Sequence, residues 1–279
     1  MIMYRKTLAQ NAALKGIGLH TGAPCSMVFK PSAQGFISFV RTDIKDSKPI
    51  KAELASVSST NRGTNLKNST AEVHTVEHVL SAAAALGITD LIVEMDGPEP
   101  PIMDGSALEY ANAMLKAGFE RLEGQYPELK LNKKVEYQEG NITYIAFPSD
   151  KAKITFIFTR DGHAMVSRQE YTFEINQNNF LRLIAPARTF GFEEEIAYLH
   201  ANGLAKGGSA DNCVIIQKDK YNVPLRFHDE PVRHKILDML GDLQLMNMSL
   251  GHVHIVCAGG GHKHNIEFAK ILIKENNNG

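Results

Sequence analysis

Cysteine is scarce in this chain. Cys25, Cys213 and Cys257 are its only three. They lie far apart and show no Cys-x-x-Cys spacing, so neither a disulfide framework nor a thiolate zinc site is expected, and each reads as a plain core residue. Charge of one sign is missing as well. Lys and Arg number 30 against 31 Asp and Glu, a formal net charge of -1, and no basic block or stripe is present. That excludes nucleic acid as a partner. No stretch approaches the ~18 uninterrupted apolar residues of a membrane span, and Met1 to Lys6 lack the apolar region of a secretory signal. A cytoplasmic location is the expectation. At 279 residues, 43% hydrophobic and 22% charged, the chain has an ordinary soluble composition, enough for about two domains of ~100–200 residues each.

Against that plain background two short segments stand out, Thr75-Val76-Glu77-His78 and His234-Lys235-Ile236-Leu237-Asp238, each inside an apolar run. In the second, Pro231 suits a first helical position, and Val232, Ile236, Met239, Leu240 and Leu243 recur at helical spacing as a core stripe. His234 and Asp238, four apart, then share one face of the helix and can reach a single ion. His78 is the best third ligand. Glu77 points about 100° away around the axis and suits a place beside a metal rather than on it. Taken alone, a His-x-x-x-Asp pair is usually a surface ion pair or a satisfied core hydrogen bond. Both segments, however, are too apolar all round for surface helices, so their ionisable groups need a partner or a metal inside. Two His and one carboxylate suit zinc, and three protein ligands leave the fourth position for water, the mark of a hydrolytic site.

The order of elements predicts an α+β fold. In the first half, strands are expected over 23–30, 35–40 and 90–95, and helices over 75–86, closing on Gly87, and over 106–117. A rigid turn-rich loop, Asp96 to Gly105, joins the strand to the second helix. The polar stretch Glu120 to Lys134 reads as a linker, dividing the chain into domains 1–124 and 125–279. The second half repeats the plan, with strands over 142–147, 154–159, 169–175 and 253–257 and helices over 231–248 and 265–274. An inserted segment, 185–216, interrupts it with its own helix from Glu193 to about Asn202 and a Gly207-Gly208 turn, and insertions of this kind often shape a binding site.

Three smaller features bear on chemistry. Gly259-Gly260-Gly261 follows a strand and delivers His262 at its end, suited to a general acid or an oxyanion partner, or equally to a tight turn with His262 capping the helix. His252 and His254 alternate on one strand face and read as structural or exposed. Gly207-Gly208-Ser209 could cradle a phosphate at a helix start, but Asn212 to Ile216 reads as a strand.

Read in order, Gly16-Ile-Gly-Leu-His-Thr-Gly22, Thr75 to His78, Pro101-Ile-Met-Asp-Gly-Ser106, Ala187-Arg-Thr-Phe-Gly-Phe192, Gly207-Gly-Ser209 with Asp211, and His234 to Asp242 resemble the UDP-3-O-acyl-N-acetylglucosamine deacetylase family over nearly the whole chain. These are the zinc amidases of lipid A biosynthesis in Gram-negative bacteria. The resemblance implies one zinc ion held by His78, His234 and Asp238, and Glu77 as the base that activates water. It also implies His262, oriented by Asp242, as the cation that stabilises the oxyanion and protonates the leaving amine, with Thr189 bonding to that oxyanion. Phe190, Phe192 and Gly208 of the insert would border the acyl-chain passage, and Lys235 would meet the substrate's diphosphate or sugar. The implied fold is two similar α+β domains, each a sheet with a pair of helices, the helices packed between the sheets and the zinc in the domain cleft. The implied partner is an acylated UDP-sugar, handled by a monomer that its substrate could bring near the inner leaflet without any membrane span.

One departure is visible. Gly261-His262-Lys263-His264-Asn265 stands where the family usually reads Gly-His-x-Leu-Asn, placing a second imidazole two residues from the first. The 58–65 loop is only loosely like the family's, and its role is open. Rival readings are a metal-dependent amidase of another substrate, an Fe(II) oxygenase with the same ligand types, and a sugar-nucleotide binder that has lost the chemistry. The oxygenase is disfavoured because such sites commonly use a His-x-Asp pair on a β framework, and the binder because no ligand is missing.

Overall fold

A computed structural model describes residues 3–277. The first half contains β1 (Tyr4–Leu8), β2 (Ala12–Ile17), β3 (Pro24–Pro31), β4 (Ile37–Arg41), β5 (Ile50–Lys51), β6 (Val57–Ser59), β7 (Asn65–Lys67), β8 (Glu72–Val73), α1 (Glu77–Leu86), β9 (Leu91–Met95), α2 (Leu108–Ala117) and β10 (Phe119–Gln125). The second contains β11 (Val135–Glu139), β12 (Ile142–Pro148), β13 (Lys153–Phe158), β14 (Gln169–Glu174), α3 (Gln177–Asn179), β15 (Phe190–Phe192), α4 (Glu193–Ala201), β16 (Val214–Ile216), α5 (Glu230–Gln244), β17 (Val253–Ala258) and α6 (His262–Asn277). A π-helical turn, Phe180–Ile184, continues α3.

Each half builds one five-stranded sheet, ordered β2-β3-β9-β4-β5 and β11-β12-β17-β13-β14. The two orders are the same. In each, the last strand of the sheet in chain order (β9 or β17) enters the middle, antiparallel to the second strand (β3 or β12) and parallel to the third (β4 or β13). A parallel neighbour requires a crossover, which α1 and α5 supply. Alternation sets the faces: Leu91, Val93 and Met95 of β9, and Val253, Ile255 and Cys257 of β17, point into the core while their neighbours are partly exposed. One continuous apolar core joins Phe39 and Val93 to Phe156 and Ile255 through Leu80 and Ile236 of the helices. The fold is thus the expected α+β arrangement.

Several boundaries differ from expectation. The helix predicted from Thr75 begins at Glu77, because Thr75 has φ of 53°, outside the helical region. The linker predicted over 120–134 opens as β10, a mostly exposed strand paired with β1 through Tyr4 and Gln125, Lys6 and Arg121, and Leu8 and Phe119. Its polarity reflects exposure rather than disorder. The predicted insert is only part of what lies between β14 and α5. Within it, β15 and β16 pair in parallel, and Arg188 is tied to Glu230 at the start of α5. Cys25 and Cys257 are core residues as expected, whereas Cys213 is half-buried.

The Glu230 carboxylate is fully buried. It accepts from the backbone N–H and Nε of Arg188 at 3.0 and 2.8 Å and from the backbone N–H of Arg226 at 2.7 Å. Removing one partner of a buried pair strands the other charge. Glu230→Ala should therefore lower the unfolding free energy by about 3–5 kcal/mol in urea titrations; a loss under about 1 kcal/mol would place the pair among surface bridges in its effect.

Candidate metal centre

The two helices that carry the ionisable groups touch at one glycine. A Cβ on Gly241 of α5 would overlap the backbone carbonyl of Glu77 at the start of α1, so only hydrogen fits there. This close approach brings His78 beside His234, their rings edge to face with centroids 5.0 Å apart. Nitrogens of His78 and His234 and an oxygen of Asp238 lie within 4.8 Å of one another, and all three side chains are buried.

Their hydrogen bonds suit a cation. His234 Nδ1 donates to the carbonyl oxygen of Ala187 at 3.0 Å, which orients the ring so that Nε2 lies 3.2 Å from Asp238 Oδ1. His78 Nδ1 is buried with no hydrogen-bond partner among the described residues. Burial first, then the neighbouring His234, pushes the His78 imidazole down to about 3, so it is a neutral ring at physiological pH. For Asp238, burial alone would raise the pKa, but Lys235, His234 and His262 hold it well below the usual carboxylate range. Two imidazoles and one carboxylate form a donor set that fits zinc or another transition-metal ion.

Two further groups flank these three. Glu77 receives the backbone N–H of Thr64 on Oε2 at 2.9 Å, and its Oε1 lies 3.8 Å from His262 Nε2. Burial raises the Glu77 pKa against the pull of His262. His262 is the first residue of α6. The tight strand-to-helix turn expected of the glycines is therefore present, with His262 inside the helix rather than capping it. Its Nδ1 meets Asp242 Oδ2 at 2.9 Å. Burial alone would lower the His262 pKa, but Asp242, with Glu77 and Asp238 behind it, overrides burial and raises it to about 9. The preceding glycines permit this placement: Gly259 has φ of 75°, and a Cβ on Gly260 would overlap the Tyr144 hydroxyl.

These groups border a hollow of about 250 Å³ that also meets Thr189, Phe190, Phe192 and Lys235. A second hollow, about 260 Å³, shares Thr189 and Phe190 with it and continues along Gly208, Cys213 and Leu199 of the insert. Lys235 Nζ sits 2.7 Å from Asp238 Oδ2, over the Phe190 ring. Phe192 is largely buried, packing with Val166 and Ile216, so it supports the wall more than it lines it. Gly208 lies in a turn with no helix beginning after it, which removes the phosphate-cradle reading. His264 packs on Tyr137 and points toward Glu139. His254 bonds Thr155 and His252 bonds the Asp150 carbonyl, both in structural roles. A larger hollow of about 400 Å³ opens at the other end of α1, beside Gly87 and Lys6, and none of the site residues line it.

The sequence motifs meet here for backbone reasons. Thr189 N–H donates to the Gly105 carbonyl at 2.7 Å, and Ala107 N–H to the Ala185 carbonyl, stitching the Pro101–Ser106 loop to the Ala187–Phe192 segment. Gly105, φ 86°, lies against the carbonyl of Asn212 where no Cβ fits. Two site residues escaped sequence reasoning. Thr64 touches both Glu77 and Asp242 from the 58–65 loop, where a lone hydroxyl carries no periodic signal. Glu99, fully buried, accepts from the backbone N–H groups of His20 and Thr21 and from the Thr75 hydroxyl, so it holds Thr75 in its strained conformation. Its position between Pro98 and Pro100 was the available hint.

Known proteins resemble this chain closely. The family model described as UDP-3-O-acyl N-acetylglycosamine deacetylase matches residues 5–274. A UDP-3-O-acyl-N-acetylglucosamine deacetylase of Thermodesulfovibrio yellowstonii is 40% identical over 97% of this chain and 92% of its own length. One from Syntrophus aciditrophicus is 36% identical over 99% and 88% respectively. A bifunctional LpxC/FabZ enzyme of Chlorobaculum tepidum is 35% identical over 98% of this chain but 65% of its own length.

Because the Gly241 contact is backbone on both sides, the helices must separate to admit a methyl group. Gly241→Ala should cost at least about 1–3 kcal/mol of stability, read as a lowered urea midpoint. An unchanged midpoint would mean that α1 and α5 approach less closely than described.

Proposed function

The chain belongs to the UDP-3-O-acyl N-acetylglycosamine deacetylase family, and from that premise we propose that it hydrolyses the N-acetyl group of UDP-3-O-acyl-N-acetylglucosamine, releasing acetate and the free amine, in lipid A biosynthesis. The observation that carries this reading is the convergence of three buried donors from both halves with Glu77 and His262, 3.8 Å apart, beside them. Zinc is the metal proposed, held by His78, His234 and Asp238. When bound it supplies Lewis acidity, polarising the amide carbonyl and making water nucleophilic near neutral pH.

In this reading Glu77 accepts a proton as water attacks the acetyl carbon, and a cation beside it favours the carboxylate form that a base requires. His262, protonated and held through Nδ1 by Asp242, faces the developing oxyanion with Nε2 and then donates its proton to the departing nitrogen as the C–N bond breaks. Thr189 donates a hydrogen bond to that oxyanion. The sugar and diphosphate lie toward Lys235, and the acyl chain runs past Phe190 into the hollow beside Gly208. Division into two domains near residue 124 puts Glu77 and His78 in one and His234, Asp238 and His262 in the other. No helix among the described residues is long and apolar enough to cross a membrane. The reading carries a cytoplasmic, monomeric enzyme in a Gram-negative cell.

Acetate release from the substrate by the purified chain, before and after chelation and again with zinc restored, tests the function directly. Loss on chelation and recovery with zinc are the expected result; no release from a folded, zinc-loaded chain would refute the substrate. Glu77→Ala and His262→Ala should each reduce turnover about 10²-fold or more with metal content intact, whereas His78→Ala should lose metal. Turnover should fall as pH rises through about 9, where His262 gives up the proton it must donate. A rate that keeps climbing at alkaline pH would contradict that role.

A further inference from the structure

We propose that Thr64 is a positioning residue that couples the base arm of the reaction to the acid arm, holding Glu77 through its amide and Asp242 through its hydroxyl; this rests on the roles assigned above to Glu77 and His262. Thr64 is fully buried immediately before β7. Its backbone N–H donates to Glu77 Oε2 at 2.9 Å, and its Oγ1 donates to Asp242 Oδ1 at 2.5 Å. No other residue bonds to both carboxylates among the hydrogen bonds of the described residues.

Each link fixes the atom on the opposite side. Asp242 Oδ2 receives His262 Nδ1 at 2.9 Å and Asn265 Nδ2 at 2.8 Å, and Asn265 is itself held by the Tyr144 hydroxyl at 2.6 Å. With Oδ1 taken by Thr64, the carboxylate plane has no freedom to turn, and His262 is left with Nε2 facing the hollow. Without the hydroxyl, Oδ1 becomes a buried acceptor lacking that bond, which the carboxylate can relieve only by rotating away from His262. On the other arm, anchoring Glu77 Oε2 leaves Oε1 as the oxygen nearest His262 Nε2. The strand can enter this close because residue 63 is glycine: a Cβ there would stand 3.1 Å from Glu77 Oε1 and 3.2 Å from Thr75 Oγ1. Arg62, one residue earlier, binds Glu195 of the insert at 2.6 Å. The 58–65 loop is thereby anchored on both sides of the cleft.

The test compares Thr64→Val, Thr64→Ser and Gly63→Ala with the parent chain, each zinc-loaded, for kcat and KM on UDP-3-O-acyl-N-acetylglucosamine, metal content, melting midpoint and the downfield Nδ1 proton resonance of His262, assigned by its absence in His262→Gln. Thr64→Val is expected to lower kcat about 10- to 100-fold while KM and metal content stay close to the parent values and the melting midpoint falls by no more than about 10 °C. The His262 resonance should shift or broaden, and Thr64→Ser should restore both readouts. Gly63→Ala, which keeps the hydroxyl but presses on Glu77, should lower kcat without moving the resonance. Parent-like kcat and an unmoved resonance in Thr64→Val would overturn the proposal. So would equal losses in the valine and serine variants accompanied by a lowered melting midpoint, since the residue would then serve packing alone. If the parent releases no acetate yet the resonance moves in Thr64→Val and returns in Thr64→Ser, the coupling to the Asp242–His262 pair, whose Nδ1 lies 3.4 Å from the Thr64 hydroxyl, stands and the assigned substrate falls.

Discussion

The contact between Gly241 and the backbone of Glu77 is the constraint on which the rest of the structure depends. Two helices that approach this closely bury everything between them, and what lies there includes Glu77, His78, His234, Asp238 and Asp242, each at most 3% exposed. Ionised groups removed from water are costly unless paired. The structure meets that cost locally: Lys235 and His234 serve Asp238, Thr64 and Asn265 serve Asp242, and the Thr64 amide serves Glu77. The Nδ1 of His78 has no hydrogen-bond partner among the described residues.

The repeated sheet topology explains how two such helices come to face each other. In each half the crossover helix precedes the strand that enters the middle of the sheet, so α1 and α5 are equivalent elements, and they pack together. Each half also places its extra structure between the fourth strand of its sheet and that helix: β6 to β8 in the first, α3 to β16 in the second. Both insertions therefore emerge beside the same helix ends. One delivers Thr64 and Arg62, the other Thr189 and Phe190, and the Arg62–Glu195 pair joins them at 2.6 Å.

What could be read from the sequence was whatever depends on local spacing. The core stripe of α5, the His234–Asp238 pair and the short apolar runs of β9 and β17 are properties of neighbours along the chain, and the sequence shows them. The apolar pattern carries the helix back to Thr75 because nothing in it signals the positive φ there, which is held by distant Glu99. Strands β5 to β8, two or three residues each, exist only through their partners, and β10 is so exposed that its pattern resembles a linker. The equivalence of the halves lies in strand pairing, which no residue announces. Thr64 was missed for the same reason: its partners are 13 and 178 residues away.

The division of the site between halves also links chemistry to stability. His78 comes from α1, while His234 and Asp238 come from α5, so neither half owns the full set of residues that could hold a metal. A metal bound by all three would favour the state in which the helices touch, by RT ln(1 + [L]/Kd), about 4 kcal/mol at a thousandfold excess over Kd. The same contact sets the distance between Glu77 and His262, because Glu77 lies against Gly241 and His262 hangs from its neighbour Asp242. Anything that spreads the helices would part His78 from His234 and Asp238, and Glu77 from His262, in one movement. A site built across two halves is thus protected from partial assembly: the groups that would hold the metal and those that would move protons come together at the same interface.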